Sequence, residues 1–128
     1  MMNLNNMIAL LILVLFSTFA QADIKTIEPQ NVLKLIETHQ APLILDVRSA
    51  KEFDQGHIPG AINISYQDLS KSQKLNAYKE LDIIIYCRSG RRARIAANIL
   101  QEKGFKKLYD LHGSIIAWQK LNYPLALF

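Results

Sequence analysis

The chain has 128 residues, room for one domain, and half of them are apolar, enough to build an ordinary hydrophobic core. The 15 Lys and Arg outnumber the 11 Asp and Glu for a net charge of +4, but Tyr and Phe do not interleave with the basic cluster as stacking platforms would, which argues against nucleic-acid binding. A single cysteine excludes an intramolecular disulfide, so packing alone must hold the fold.

From the N-terminus, ten apolar residues at 7–16 lead to Ala20-Gln21-Ala22. The run is short for a membrane span, and small-x-small is the form of a signal-peptidase site. Residues 1–22 are therefore expected to be a signal peptide cleaved before Asp23, sending residues 23–128 to the periplasm with no stable membrane association. The segment has no Lys or Arg, so its positive charge would come from the α-amino group alone, and an uncleaved N-terminal anchor is the alternative. No cysteine stands near the cleavage site to carry a lipid. Every charged side chain lies after Ala22, so the basic balance stays with the mature chain and suits small anions.

A strand at 24–27 precedes Pro29, a favoured first helical residue, and Val32, Leu33, Leu35 and Ile36 predict a helix to about Thr38. Leu43-Ile44-Leu45 is a short continuous apolar run of the kind buried in a parallel sheet. Ser49 caps a short helix through Phe53 that Gly56 ends. Residues 61–64 predict another strand, 70–79 a polar helix and turn, and 83–86 the most buried strand. Ala93, Ala96, Ala97 and Leu100 share one helical face before Gly104; a strand at 107–110 and a helix at 113–120 complete the chain. Strands alternating with helices imply an α/β fold: an open, mostly parallel β-sheet flanked by helices on both faces. Ligands then bind at the carboxyl ends of the strands, and Cys87 stands at such an end.

An ordinary cysteine is mostly protonated at neutral pH, and only the thiolate is strongly nucleophilic. A strand feeding a tight turn that opens a helix leaves unpaired N–H groups, backed by the helix dipole, facing whatever lies in the turn. Cys87-Arg88-Ser89-Gly90-Arg91-Arg92 has this arrangement, with Gly90 permitting close approach and positive φ. Four arginines, Arg88, Arg91, Arg92 and Arg94, stand within seven residues of the thiol. Taken singly, Arg91 or Arg94 reads as solvated surface; together the four suit stabilisation of a thiolate and attraction of an anionic substrate.

Three segments carry a resemblance. The first is Asp46-Val47-Arg48 followed by Phe53-Asp54-Gln55-Gly56-His57-Ile58-Pro59-Gly60-Ala61-Ile62-Asn63-Ile64. The second is Tyr86-Cys87-Arg88-Ser89-Gly90-Arg91-Arg92 with Ala96-Ala97 and Gly104-Phe105, and the third is Leu111-His112-Gly113-Ser114-Ile115-Ile116-Ala117-Trp118 with Tyr123-Pro124. In this order they resemble a single-domain rhodanese, a sulfurtransferase. Ser114 stands where that family usually has a second glycine, Asn122 where a glycine often precedes Tyr-Pro, and Ala93 where serine is common; none of these departures is expected to touch the nucleophile.

The resemblance implies that Cys87 is the catalytic nucleophile and that Arg88, Ser89, Gly90, Arg91 and Arg92 form the substrate-binding loop. Its thiolate would take sulfur from thiosulfate or another small anionic sulfane donor, hold it as a persulfide, and pass it to a thiophilic acceptor such as cyanide or a thiol. No metal or organic cofactor is needed. Phosphatases and arsenate reductases that resemble this fold use Cys-x5-Arg, whereas Arg92 here comes one position early, giving the six-residue loop of sulfurtransferases. A phosphatase or arsenate reductase, and a sulfur-carrying or binding module without turnover, remain the alternatives.

Against this background His57, followed by Ile58-Pro59-Gly60, is expected to be structural rather than a general base. Asp46 and Arg48 are expected to pair locally or brace loops, with Glu52 a candidate partner of Arg48. His112 is a loop histidine that would face either the site mouth or solvent, Trp118 and Phe53 are core aromatics, and His39 carries no signal.

Overall fold

The computed structural model describes residues 3–4 and 23–128. The expected signal peptide, apart from Asn3 and Leu4, lies outside the described residues, among which no helix is long and apolar enough to cross a membrane. The element order is β1 (Lys25–Ile27), α1 (Pro29–Glu37), β2 (Leu43–Asp46), α2 (Ala50–Asp54), β3 (Ile62–Asn63), β4 (Ile83–Tyr86), α3 (Arg91–Glu102), β5 (Leu108–Leu111) and α4 (Ser114–Lys120). The five strands form one sheet in the order β1-β5-β4-β2-β3, and every pairing is parallel.

The apolar runs of β2 and β4 are continuous because helices cover the sheet on both faces. Leu45, Ile83 and Ile85 pack against Ala93, Ala96, Ala97 and Leu100 of α3. The alternate residues Ile44, Ile84 and Tyr86 pack against Val32 of α1 and against Ile115 and Trp118 of α4. Pro29 opens α1, and Ser49 caps α2 in a reciprocal box with Glu52: the Ser49 hydroxyl accepts the Glu52 N–H at 3.2 Å while the Glu52 carboxylate accepts the Ser49 N–H at 3.3 Å.

The polar helix expected within 70–79 does not form; this stretch is a run of turns with one 3-10 turn at Asn76–Tyr78. Leu75 is its one buried residue, and with Leu69 just before it, six positions away, it makes no repeat at helical spacing. Lys103 instead holds the segment through its carbonyls, donating from Nζ to Leu69 O and Ser72 O, each at 2.8 Å.

Between β2 and β4 the chain reverses its direction across the sheet: β3 lies outside β2 on one side, and β5 and β1 lie outside β4 on the other. Such a switch point opens a crevice at the carboxyl ends of the two strands. After β2, Arg48 folds back on Asp46, with Nη2 at 2.6 Å from Oδ2 and Nε at 3.0 Å from both carboxylate oxygens, and it also donates to Gly56 O at 2.8 Å. Burial works against the Arg48 charge, but the Asp46 carboxylate outweighs it and holds the guanidinium above its ordinary range. After β4 comes Cys87, the other wall of the crevice.

Candidate active site

Cys87 leaves the central strand β4 and enters a turn that Gly90 closes at φ 118°, and α3 begins at Arg91. A side chain at that φ is strained, so glycine suits the turn. The Gly90 N–H donates to Cys87 Sγ at 3.0 Å. On the other side of the turn, Ile115 and Ile116 of α4 donate their N–H groups to Cys87 O at 3.1 Å and Arg88 O at 3.2 Å. These first-turn donors of α4 lack partners inside their own helix. By taking the turn's carbonyls, they tie the turn to the start of α4.

The expected arginine cluster divides. Arg92 donates from Nη1 to Glu52 Oε1 at 2.7 Å and from Nη2 to Glu52 Oε2 at 2.9 Å. The hydrogen bonds it donates to Glu52 are the largest cause holding the Arg92 guanidinium above its ordinary range, and the charge of a Cys87 thiolate acts in the same direction. Arg92 in turn holds the Glu52 carboxyl down at about 2. Arg88 and Arg91 are exposed and make no ion pair with a described residue, whereas Arg94, also exposed, feels the charge of Asp110. Ser89 is exposed beside the buried Gly90.

Two expectations need correction. Glu52 does not pair with Arg48: Asp46 occupies that guanidinium, and Glu52 reaches across to Arg92. Ser114 does touch Cys87, because its buried Oγ accepts the Cys87 N–H at 3.2 Å and lies 3.8 Å from Sγ. Neither contact has a local signature, the partners being 40 and 27 residues apart; only the departure from glycine at Ser114 marked the position.

The other weighed residues fall where expected. His57 is buried, stacks on Phe53 with ring centroids 3.6 Å apart, and donates from Nδ1 to Phe53 O at 2.9 Å, a structural role. His112 is exposed and pairs with Glu28 at 3.0 Å. Trp118 is fully buried and donates to Pro124 O at 2.7 Å, and Phe53 packs against the same core. Among the described residues no group of His, Cys, Asp and Glu is arranged to hold a metal ion.

Residues 28–121 match the rhodanese-like domain family. The chain is 29% identical over 102 residues to a sulfurtransferase of Allochromatium vinosum, covering 80% of this chain and 94% of that one. It is also 29% identical to a putative mitochondrial thiosulfate sulfurtransferase of Schizosaccharomyces pombe, covering 69% of this chain and 70% of that one. The crystal structure of a rhodanese-related protein from Thermoplasma volcanium superposes with a TM-score of 0.67 at 28% identity, covering 81% of this chain and 99% of that one. The strand-turn-helix around Cys87 and the parallel sheet that carries it thus belong to a rhodanese-like domain, and the chain is a member of that family.

Proposed function

We propose that the chain is a periplasmic thiosulfate sulfurtransferase working through a Cys87 persulfide, its signal peptide removed before Asp23. The observation that carries this reading is the Gly90 N–H on Cys87 Sγ at the mouth of α3, a donor aimed at an anionic sulfur. The Cys87 thiolate attacks the outer sulfur of thiosulfate, the S–S bond of the donor breaks, and sulfite leaves with the bonding pair. Cyanide or a thiol then attacks the outer sulfur of the persulfide and the Cys87 thiolate is released. Arg88 and Arg91, exposed and without an ion pair among the described residues, attract the dianionic donor, with Ser89 and Gly90 contributing loop N–H groups; Arg92 braces the loop through Glu52.

The relatives named as sulfurtransferases support the chemistry, and Arg92 weighs against a phosphatase. A phosphatase loop ends on an arginine that encloses an oxyanion, whereas both ends of the Arg92 guanidinium are taken by Glu52. Intact mass after exposure to thiosulfate tests the proposal: one sulfur atom should be gained, cyanide should remove it with repeated release of thiocyanate, and Cys87→Ser should abolish both. Loading without turnover would identify a carrier module instead. Phosphate release from aryl phosphates in excess of sulfur transfer would overturn the assignment.

A further inference from the structure

Ser114 is fully buried and holds φ 53°, a backbone conformation that glycine adopts freely and serine does not. Among the described residues its hydroxyl has two hydrogen-bond partners, both on Cys87: the backbone N–H it accepts at 3.2 Å, and Sγ at 3.8 Å. With a lone pair taken by the N–H, the hydroxyl proton has only the sulfur as an acceptor among the described residues. A thiolate cannot donate, so once Cys87 ionises the serine is the donor of that contact. It approaches from the first turn of α4, whereas the Gly90 donor comes from the turn before α3, so two separate elements meet on one sulfur.

We propose that Ser114 is a positioning residue that hydrogen-bonds the Cys87 thiolate and makes it a better leaving group when the persulfide is discharged. This deepens the sulfur-transfer reading and rests on it for the second half-reaction. During loading, Sγ uses its pair to form the new S–S bond and loses its charge. During discharge, the acceptor attacks the outer sulfur, the Sγ–S bond breaks, and its pair returns to Sγ beside the Ser114 hydroxyl. A hydrogen bond to that anion lowers its basicity, which speeds its departure but slightly weakens it as a nucleophile once fully ionised. Removing the hydroxyl should therefore affect the two half-reactions unequally, which loss of packing would not do.

The test uses Ser114→Gly, which fits φ 53° without strain, and Ser114→Ala, with Ser114→Thr to restore the hydroxyl. Loading by thiosulfate and discharge by cyanide are timed separately at alkaline pH, and alkylation by iodoacetamide is followed against pH. In the glycine and alanine variants discharge should slow about three- to tenfold while alkaline loading does not slow, and the alkylation profile should move to higher pH. Threonine should recover part of the discharge rate if it folds, and the glycine variant decides if alanine does not. Half-reactions slowed equally, or unchanged, would overturn the proposal. Should the wild type fail to load from thiosulfate at all, the sulfurtransferase reading falls, and the alkylation profile still decides the hydrogen bond: superimposable curves refute it and a displaced curve upholds it.

Discussion

Arg92 and Glu52, 40 residues apart in the chain, form a two-pronged ion pair that ties the start of α3 to α2. The same carboxylate closes the cap of α2 on Ser49, so one side chain links the turn that holds Cys87 to the loop after β2. The pair spans the crevice where the sheet reverses, and it leaves the neighbouring Arg88 and Arg91 to solvent.

The pair makes stability depend on pH in a defined direction. The Glu52 carboxyl lies at about 2 in the folded chain against an ordinary 4.5, chiefly because of the Arg92 hydrogen bonds. A depressed folded value means the contribution is fully present above about pH 4.5 and is lost as the pH falls toward 2. Urea unfolding should find Glu52→Gln less stable than wild type by no more than about 1 kcal/mol at neutral pH, because both side chains are partly solvated. The gap should close between pH 4.5 and 2; a gap independent of pH would refute this account.

The arginines should separate by role. Arg88→Ala and Arg91→Ala should raise KM for thiosulfate about two- to tenfold at low ionic strength, shrinking as salt is added, with little change in melting temperature. Arg92→Ala should lower the melting temperature, since it leaves Glu52 without its cation. Steady-state kinetics and thermal denaturation of the three variants check this; identical effects in all three would sink the division.

The Asp46–Arg48 pair is a structural element of larger consequence. Arg48 is almost fully buried, and Asp46→Ala would strand its charge beneath the strand ends. A loss of about 3 to 5 kcal/mol in urea unfolding is expected, and Asp46→Leu combined with Arg48→Met should recover much of it. A small loss for the single variant would mean that water reaches Arg48.

Processing gives a direct measurement. The chain recovered from the periplasm of a bacterial host should begin at Asp23 by intact mass and N-terminal sequencing. Intact Met1 on a membrane-bound protein would favour the anchor.

The sheet and its helices were legible because their signals are local. Pro29 starts a helix, Ser49 caps one, and the apolar runs at 43–45 and 83–86 end where the polar turns begin. Cys87 was legible for the same reason, as a thiol at the junction of the buried strand and a glycine turn. At 70–79, polar residues of acceptable helix propensity concealed that the backbone carbonyls just before and within the stretch are spent on Lys103, a contact from another part of the chain. The partners of Arg92 and Cys87 were illegible on the same ground: Glu52 and Ser114 meet them only after the crossovers are made. Asn122, at φ 55°, shows the converse, a positive φ that an asparagine in place of glycine does announce.

Cys87 is the only cysteine and is 1% exposed, which also governs how the site would age under oxidants. A sulfenic acid formed there has no second thiol in the chain to condense with, so further oxidation to the irreversible sulfinic acid competes only with rescue from outside. Close packing against Gly90 and Ser114 admits small oxidants more readily than protein-sized reductants. Keeping a sulfane sulfur on Sγ between turnovers would place a removable atom between the oxidant and the cysteine, so that the resting cargo doubles as a sacrificial shield.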